Sequence, residues 1–366
     1  TQEEKAEVLV GSARVANDLL VTYSPALVKE VTDTHLSYKE VANVQGKNII
    51  LKANGEIGTK EWYSDINLND ILTKEHGDWD LSDKAVITGL AIAEKSDITK
   101  NNDGTINIAR ADAIDIESTG NVNMVAGKSI FVVSEGDLNI DKVTSGGEVR
   151  IKVDDSINGN NVAENTGVIT YSDSVILESA KGSINGITLV NSETNSFDVL
   201  LRAAEDVSIE KANSLNIESI YTEKGAVVLN GGSDVKINGA VVGGDMQVAG
   251  EANTNIVNGK VNGEITIESG NATSIGNITS ACLTVTSQAG KTYIGNAEVT
   301  GDVVVSSGEE TEVGFMSAET VTLNGKGVTI GEAAVSEDLT LNSEATAVIT
   351  KANVGSNLIV ASKDNT

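Results

Sequence analysis

Met246-Gln-Val248, Ile265-Thr-Ile267, Leu283-Thr-Val285, Val303-Val-Val305, Val321-Thr-Leu323, Leu339-Thr-Leu341 and Leu358-Ile-Val360 are one phrase repeated: an apolar residue, any residue, an apolar residue. The steps between first members are 19, 18, 20, 18, 18 and 19 residues. Every flanking position is apolar in a chain that is 40% hydrophobic, so composition alone does not produce the phrase. A second stack, Ile256, Ile275, Ile294, Val313, Ile330 and Ile349, keeps steps of 19, 19, 19, 17 and 19. A third, looser stack runs Val241, Val261, Ile278, Val299, Met316, Val335 and Val354. A fixed period near twenty marks a solenoid. The two-residue alternation inside each phrase marks strands with one buried face.

Three stacks per repeat predict three short strands per coil, wound into an all-β, parallel β-helix of about 19 residues per coil. No coil buries its apolar face alone, so stability is a sum of neighbour-to-neighbour terms. The turns agree. Gly243-Gly-Asp245, Gly263-Glu264, Gly301-Asp302 and Glu337-Asp338 each precede a phrase. Glycine there permits unusual backbone angles, and short acidic side chains hydrogen-bond the local backbone.

Composition fits a narrow aliphatic core. The 366 residues include 36 Gly, one Pro (Pro25) and only 3% aromatics, whereas an ordinary globular core leans on aromatic area. Proline would remove ladder hydrogen bonds. The net charge of −27 argues against nucleic acid as a partner, and against docking on an anionic membrane. It reads as a soluble, self-repelling exterior. The single Cys282 excludes an intramolecular disulfide and shares the turn position of Asp245 and Asp302, which makes it outward and idle. No apolar run approaches the length needed to span a bilayer. The chain opens at Thr1 without a charged-then-apolar leader and reads as a piece of a longer protein.

Four regions follow. Residues 1–44 are an irregular capping segment, in which Val8, Val15, Leu19 and Leu20 suit a helix face and 26–31 suit a strand equally well. Residues 45–58 form a first β-coil, with Ile49 and Leu51 alternating between glycine turns. Residues 59–103 interrupt the repeat; Ser82 is placed to cap a short helix over 83–93. Residues 104–366 are the regular ladder. Its strands beat at eight residues from Ile106 and then at alternating eleven and eight, which sum to the downstream period.

Gly-Lys-Asn-Ile-Ile-Leu-Lys-Ala-Asn-Gly-Glu-Ile-Gly at 46–58, Ala-Ile-Ala-Glu-Lys-Ser-Asp-Ile at 91–98 and Ala-Asp-Ala-Ile-Asp-Ile-Glu-Ser-Thr-Gly-Asn-Val-Asn-Met at 111–124 carry a family likeness. They resemble the leukotoxin-type filamentous adhesins of Gram-negative bacteria, related to filamentous haemagglutinin. The resemblance spans about residues 44–362. It implies a right-handed parallel β-helix, export through an outer-membrane two-partner secretion pore, and a role at the cell surface against host cells. Some members of that group are toxic to leukocytes. The resemblance supplies no catalytic residues.

Chemistry-bearing constellations are sparse. His35 and His76 both lie outside the repeats, so the regular ladder holds no histidine site. A polysaccharide lyase on this scaffold needs clustered carboxylates with a basic residue, and a glycosidase needs two carboxylates at one bond. Of four arginines, Arg150 alternates with Val149 and Ile151 and so points outward beside Lys152; Asp154-Asp155 is nearby on a turn. Stacking aromatics for a sugar groove, Tyr171, Phe197 and Tyr221, are dispersed. Gly231-Gly-Ser-Asp234 and Gly243-Gly-Asp245 match calcium-binding nonapeptides only in part. Asn271-Ala-Thr273 and Asn277-Ile-Thr279 match glycosylation acceptors.

The resulting expectation is a monomeric, non-enzymatic segment of a secreted surface adhesin or toxin exoprotein. It has no cofactor, metal or catalytic residue and does not insert into membranes. Its expected partners are a host cell-surface receptor or glycan and an outer-membrane secretion partner. The excursion carries Trp62, Tyr63 and Trp79, which makes it the candidate host-contact patch, because recognition commonly sits on loops and uses exposed aromatics. The alternatives are a carbohydrate-active β-helix and a structural spacer without its own ligand site.

Overall fold

The computed structural model describes the backbone of residues 13–21, 27–32, 35–40, 42–67, 98–100, 105–159, 167–191 and 198–364. Side chains are described over 42–58, 113–159, 167–191 and 198–364, apart from Lys211. Every regular element among the described residues is a β-strand, and the dominant architecture is a parallel β-solenoid. The helix expected over 83–93 lies outside the described residues. The chain divides into two compact units, Thr1–Gly182 and Ser183–Thr366.

In the second unit one coil consists of Met246–Gly250 followed by Thr254–Val261, and the next of Glu264–Ser269 followed by Thr273–Ser280. The first strands stack in parallel with every phrase in register. Met246 sits on Ile265, Ile265 on Leu283, Leu283 on Val303, and so on through Val321, Leu339 and Leu358. The second stack is equally regular, from Ile237 through Ile256, Ile275, Ile294, Val313, Ile330 and Ile349. Ile265, Leu283, Val303 and Ile294 are fully buried. Each such side chain contributes about 1.5–3 kcal/mol through removal from water.

The third stack differs from its sequence reading. In Val235–Val242 the buried residues are Val235, Ile237, Ala240 and Val242, so the alternation skips a residue at Asn238-Gly239. The strand turns a corner there without losing its ladder, which makes two hydrogen-bonded strands into three faces per coil. Beyond the corner lie two inward columns, not one. Ala240, Gly259, Ile278, Ala297, Met316, Ala333 and Ala352 form the first. Val242 with Val261, Ser280 with Val299, and Ala318 with Val335 and Val354 belong to the second. Val241, assigned to the stack by sequence, faces solvent at 40% exposure. The uneven steps of the looser stack came from mixing these columns.

The corner is crowded. A Cβ added at Gly276, Gly295, Gly314 or Gly331 would lie 2.4–2.7 Å from the carbonyl oxygen one rung below. In the turn from one coil to the next, carboxylates join successive rungs. Asp245 accepts from the Glu264 backbone N–H at 2.8 Å, and Asp338 from both the backbone N–H and the Nδ2 of Asn357 at 2.9 Å. A buried hydroxyl seam runs along the other turn, between the two strands of a coil. Thr254, Thr273, Thr292 and Thr311 stack in register, Ser269 donates to Thr254 at 2.9 Å, and Ser287 donates to Thr273 at 2.7 Å.

In the first unit, Ala13–Val21 pairs in parallel with Val44–Ala53, aligning Leu19 with Ile49 and Val21 with Leu51. Leu27–Thr32 and His35–Glu40 form an antiparallel pair. The segment expected to cap the coil is thus strand wherever residues 13–40 are described. Parallel stacking continues through Ile114–Ser118, Asn121–Ala126, Ile130–Ser134 and Val149–Val153. Thr105–Asp112, read from Ile106 as the start of the beat, pairs antiparallel with Thr59–Asn67 and with Ile98–Lys100. These strands form a separate three-stranded antiparallel sheet, whose central strand lies within the residues read as regular ladder.

Candidate functional site

Trp62 and Tyr63 lie in the Thr59–Asn67 strand, opposite Ala109 and Ile108. Their side chains, and the whole of Trp79, lie outside the described residues, as do His76, Phe197 and the His35 side chain. The structure gives the contact patch a backbone frame at Trp62 and Tyr63 and nothing further.

Arg150 stands on the outer face of its coil, as alternation requires, but it is not solvated. It stacks between Phe131 and Ile176, both 1% exposed. Its guanidinium pairs with Glu148, Nη2 at 2.8 Å and Nε at 2.9 Å from Oε1. Two charges held out of water persist only when so paired. That outer face is therefore covered by chain. Asp154, by contrast, pairs with Lys181 at 2.9 Å in solvent. The hydrogen bond to Asp154 holds the Lys181 ammonium above its ordinary pKa. Neither arrangement presents an acid and a base to a common substrate atom.

The other sequence candidates are absorbed by the ladder. Gly243 is a close backbone approach, where a Cβ would lie 2.2 Å from the Glu223 carbonyl oxygen, and Asp245 serves the next rung. Asn271 donates to Asn253 at 3.1 Å and Asn277 to Asn258 at 3.0 Å, so both glycosylation-type asparagines belong to amide ladders. Cys282 is a half-buried free thiol in register with Glu264. Tyr171 is buried and Tyr221 lies under Arg202, 5.7 Å from guanidinium to ring centre. Among the described residues no group of three or more His, Cys, Asp or Glu side chains is arranged to hold a metal. No helix there is long and apolar enough to cross a membrane.

Open troughs lie along the described residues of the second unit. One of about 590 Å³ has Glu210, Glu251 and Glu268 on a floor of glycines. A second of about 710 Å³ lies over Gly308, Gly325, Ser343 and Ser362. The third, about 380 Å³, is of a different character. Its length follows one outward column, Lys236, Asn255, Ser274 and Tyr293, one residue per rung. Its side follows the adjoining turn column, Asp234, Asn253, Ala272 and Lys291. Depth arises because Ala272 and Ser274 are the shortest members of their columns. Tyr293 is 45% exposed. Lys291 pairs with Glu310, and that hydrogen bond raises the lysine pKa and lowers that of the carboxyl. Sequence reasoning passed over Tyr293, although its place between Thr292 and the inward Ile294 marked it as outward.

Fold and surface together define a parallel β-solenoid with a largely self-satisfied polar exterior and shallow troughs across its rungs. Compared with known proteins, the chain matches no protein family, no curated protein and no solved structure.

Proposed function

We propose that this chain is a non-enzymatic segment of a secreted bacterial surface adhesin, displaying a binding surface toward host cells and exported with an outer-membrane partner. The observation that carries the reading is the engagement of its polar groups with one another. The turn acids bind backbone, the asparagines bind asparagines, and the buried Arg150 binds Glu148. Side chains so committed build a stiff scaffold and leave little for acid–base chemistry. The sequence phrases at 46–58 and 111–124, with their likeness to filamentous adhesins, supply the cell-surface context.

Purified, fluorescently labelled chain should bind cultured host cells saturably and be displaced by unlabelled chain. Non-saturable binding, equal to that of an unrelated acidic protein, contradicts the proposal. Incubation with host and bacterial polysaccharides should release no new reducing ends or unsaturated products; their release would replace the adhesin reading with an enzymatic one.

A further inference from the structure

The 380 Å³ trough stands apart from the other two because one of its two columns is uncommitted, while Asp234, Asn253 and Lys291 in the other are paired. Lys236, Asn255, Ser274 and Tyr293 make no side-chain hydrogen bond or ion pair among the described residues. Three residues further along the same strands, Asn258 and Asn277 bond to each other. The trough thus offers an ammonium, an amide and a hydroxyl with free hydrogen-bonding capacity, closed at one end by an exposed aromatic ring. The larger troughs lack an aromatic lining residue: one is edged by three glutamates, and in the other Lys326 is taken up by Glu309.

We infer that this trough binds an uncharged, linear oligosaccharide of hexopyranose units. A phenol ring's electron-rich face accepts the polarised C–H face of a pyranose, while amide, hydroxyl and ammonium groups serve its hydroxyls. Lys236 and Tyr293 are three rungs apart, about 14 Å at the spacing of paired strands, which suits several linked sugars better than one. The volume falls within the range of small-molecule sites. A chain carrying 53 acidic and 26 basic residues repels polyanionic glycans, so the ligand is neutral. The inference rests on the attachment reading only for where such a glycan would be met.

The intact chain is titrated by calorimetry and by protein-observed NMR with gluco-, manno- and galacto-hexaoses, and with an oligogalacturonate as the charged comparison. Saturable binding of at least one neutral hexaose is expected, with the oligogalacturonate weaker. Tyr293→Ala, which removes the ring, and Ser274→Lys, which fills the floor, should each weaken binding at least about tenfold. Thr322→Ala on another face should leave it unchanged, with thermal midpoints showing all three variants folded. Absence of saturable binding to every neutral hexaose, or folded Tyr293→Ala and Ser274→Lys proteins that bind as wild type does, overturns the inference. Host-cell binding that survives in Tyr293→Ala keeps the attachment proposal while removing this trough from it. Hexaose binding without cell binding does the reverse.

Discussion

Single side chains decide how well one rung sits on the next. Ser280 occupies a column otherwise lined by aliphatics, next to Val299, and among the described residues its hydroxyl alone is buried without a hydrogen-bond partner. An unpaired buried hydroxyl costs about 1–3 kcal/mol, so Ser280→Ala should raise unfolding free energy by about 1 kcal/mol in urea denaturation. A loss of stability would mean that the hydroxyl finds a partner after all. Gly295 has the opposite sensitivity. Its added Cβ would lie 2.7 Å from the Gly276 carbonyl oxygen, and backbone on a ladder cannot step aside. Gly295→Ala should therefore lower stability by about 1–3 kcal/mol, and a neutral result would show the corner to be loose. Arg150→Met would leave Glu148 buried without its cation, at a cost of about 3 kcal/mol or more, whereas Lys181→Met in solvent should leave stability nearly unchanged. The two thermal midpoints, compared directly, test that contrast.

A coil is the element of this fold, and it was legible in the sequence to the degree that its residues face one way. The Met246-to-Leu358 and Ile256-to-Ile349 stacks could be read because each strand keeps strict alternation and each rung repeats it. The third face could not be read by the same rule. The skip at Asn238-Gly239 shifts alternation by one, so a column defined on apolar identity slid between Val241 and Val261 although the true neighbour is Val242. A corner inside a strand leaves no proline or long loop to announce it, only short residues such as Gly276 and Gly295 at the rung period. The hydroxyl seam was hidden for a related reason, since Ser269 and Thr254 look like surface residues until the fold closes them together. Tyr293 was legible in direction, but the lack of hydrogen-bonding partners around it was not, because that depends on neighbours 19 residues away. Damage to a coil should stay local. Leu283→Ala opens a cavity between Ile265 and Val303, costing about 2–5 kcal/mol. Amide exchange should accelerate most in 264–307 and fade with each rung beyond, as nearest-neighbour coupling requires. Uniform acceleration across the second unit would show instead that its coils open together.

At the scale of the chain, net charge and ion pairing pull in opposite directions with pH. A balance of −27 means that folding gathers like charges, and the solvent-exposed part of that repulsion is screened over a Debye length of about 10 Å at 0.1 M salt. Raising sodium chloride from low to physiological strength should therefore increase the thermal midpoint. Ion pairs such as Lys181–Asp154 and Lys291–Glu310 lose strength in salt, but exposed pairs contribute little, so the sign follows the net charge. Acid also reduces the repulsion, yet it should not stabilise in the same way. The Glu310 carboxyl is held below its ordinary pKa by Lys291, so its contribution is present above the unfolded carboxylate value and disappears as pH falls through the folded one. Stability measured against pH at low salt should consequently fall on the acid side of the carboxylate range even as net charge shrinks. The same titration in high salt should shrink that acid limb while lifting the neutral plateau. A midpoint that rose steadily as pH fell toward zero net charge would show that repulsion, rather than paired carboxylates such as Glu310, governs this solenoid.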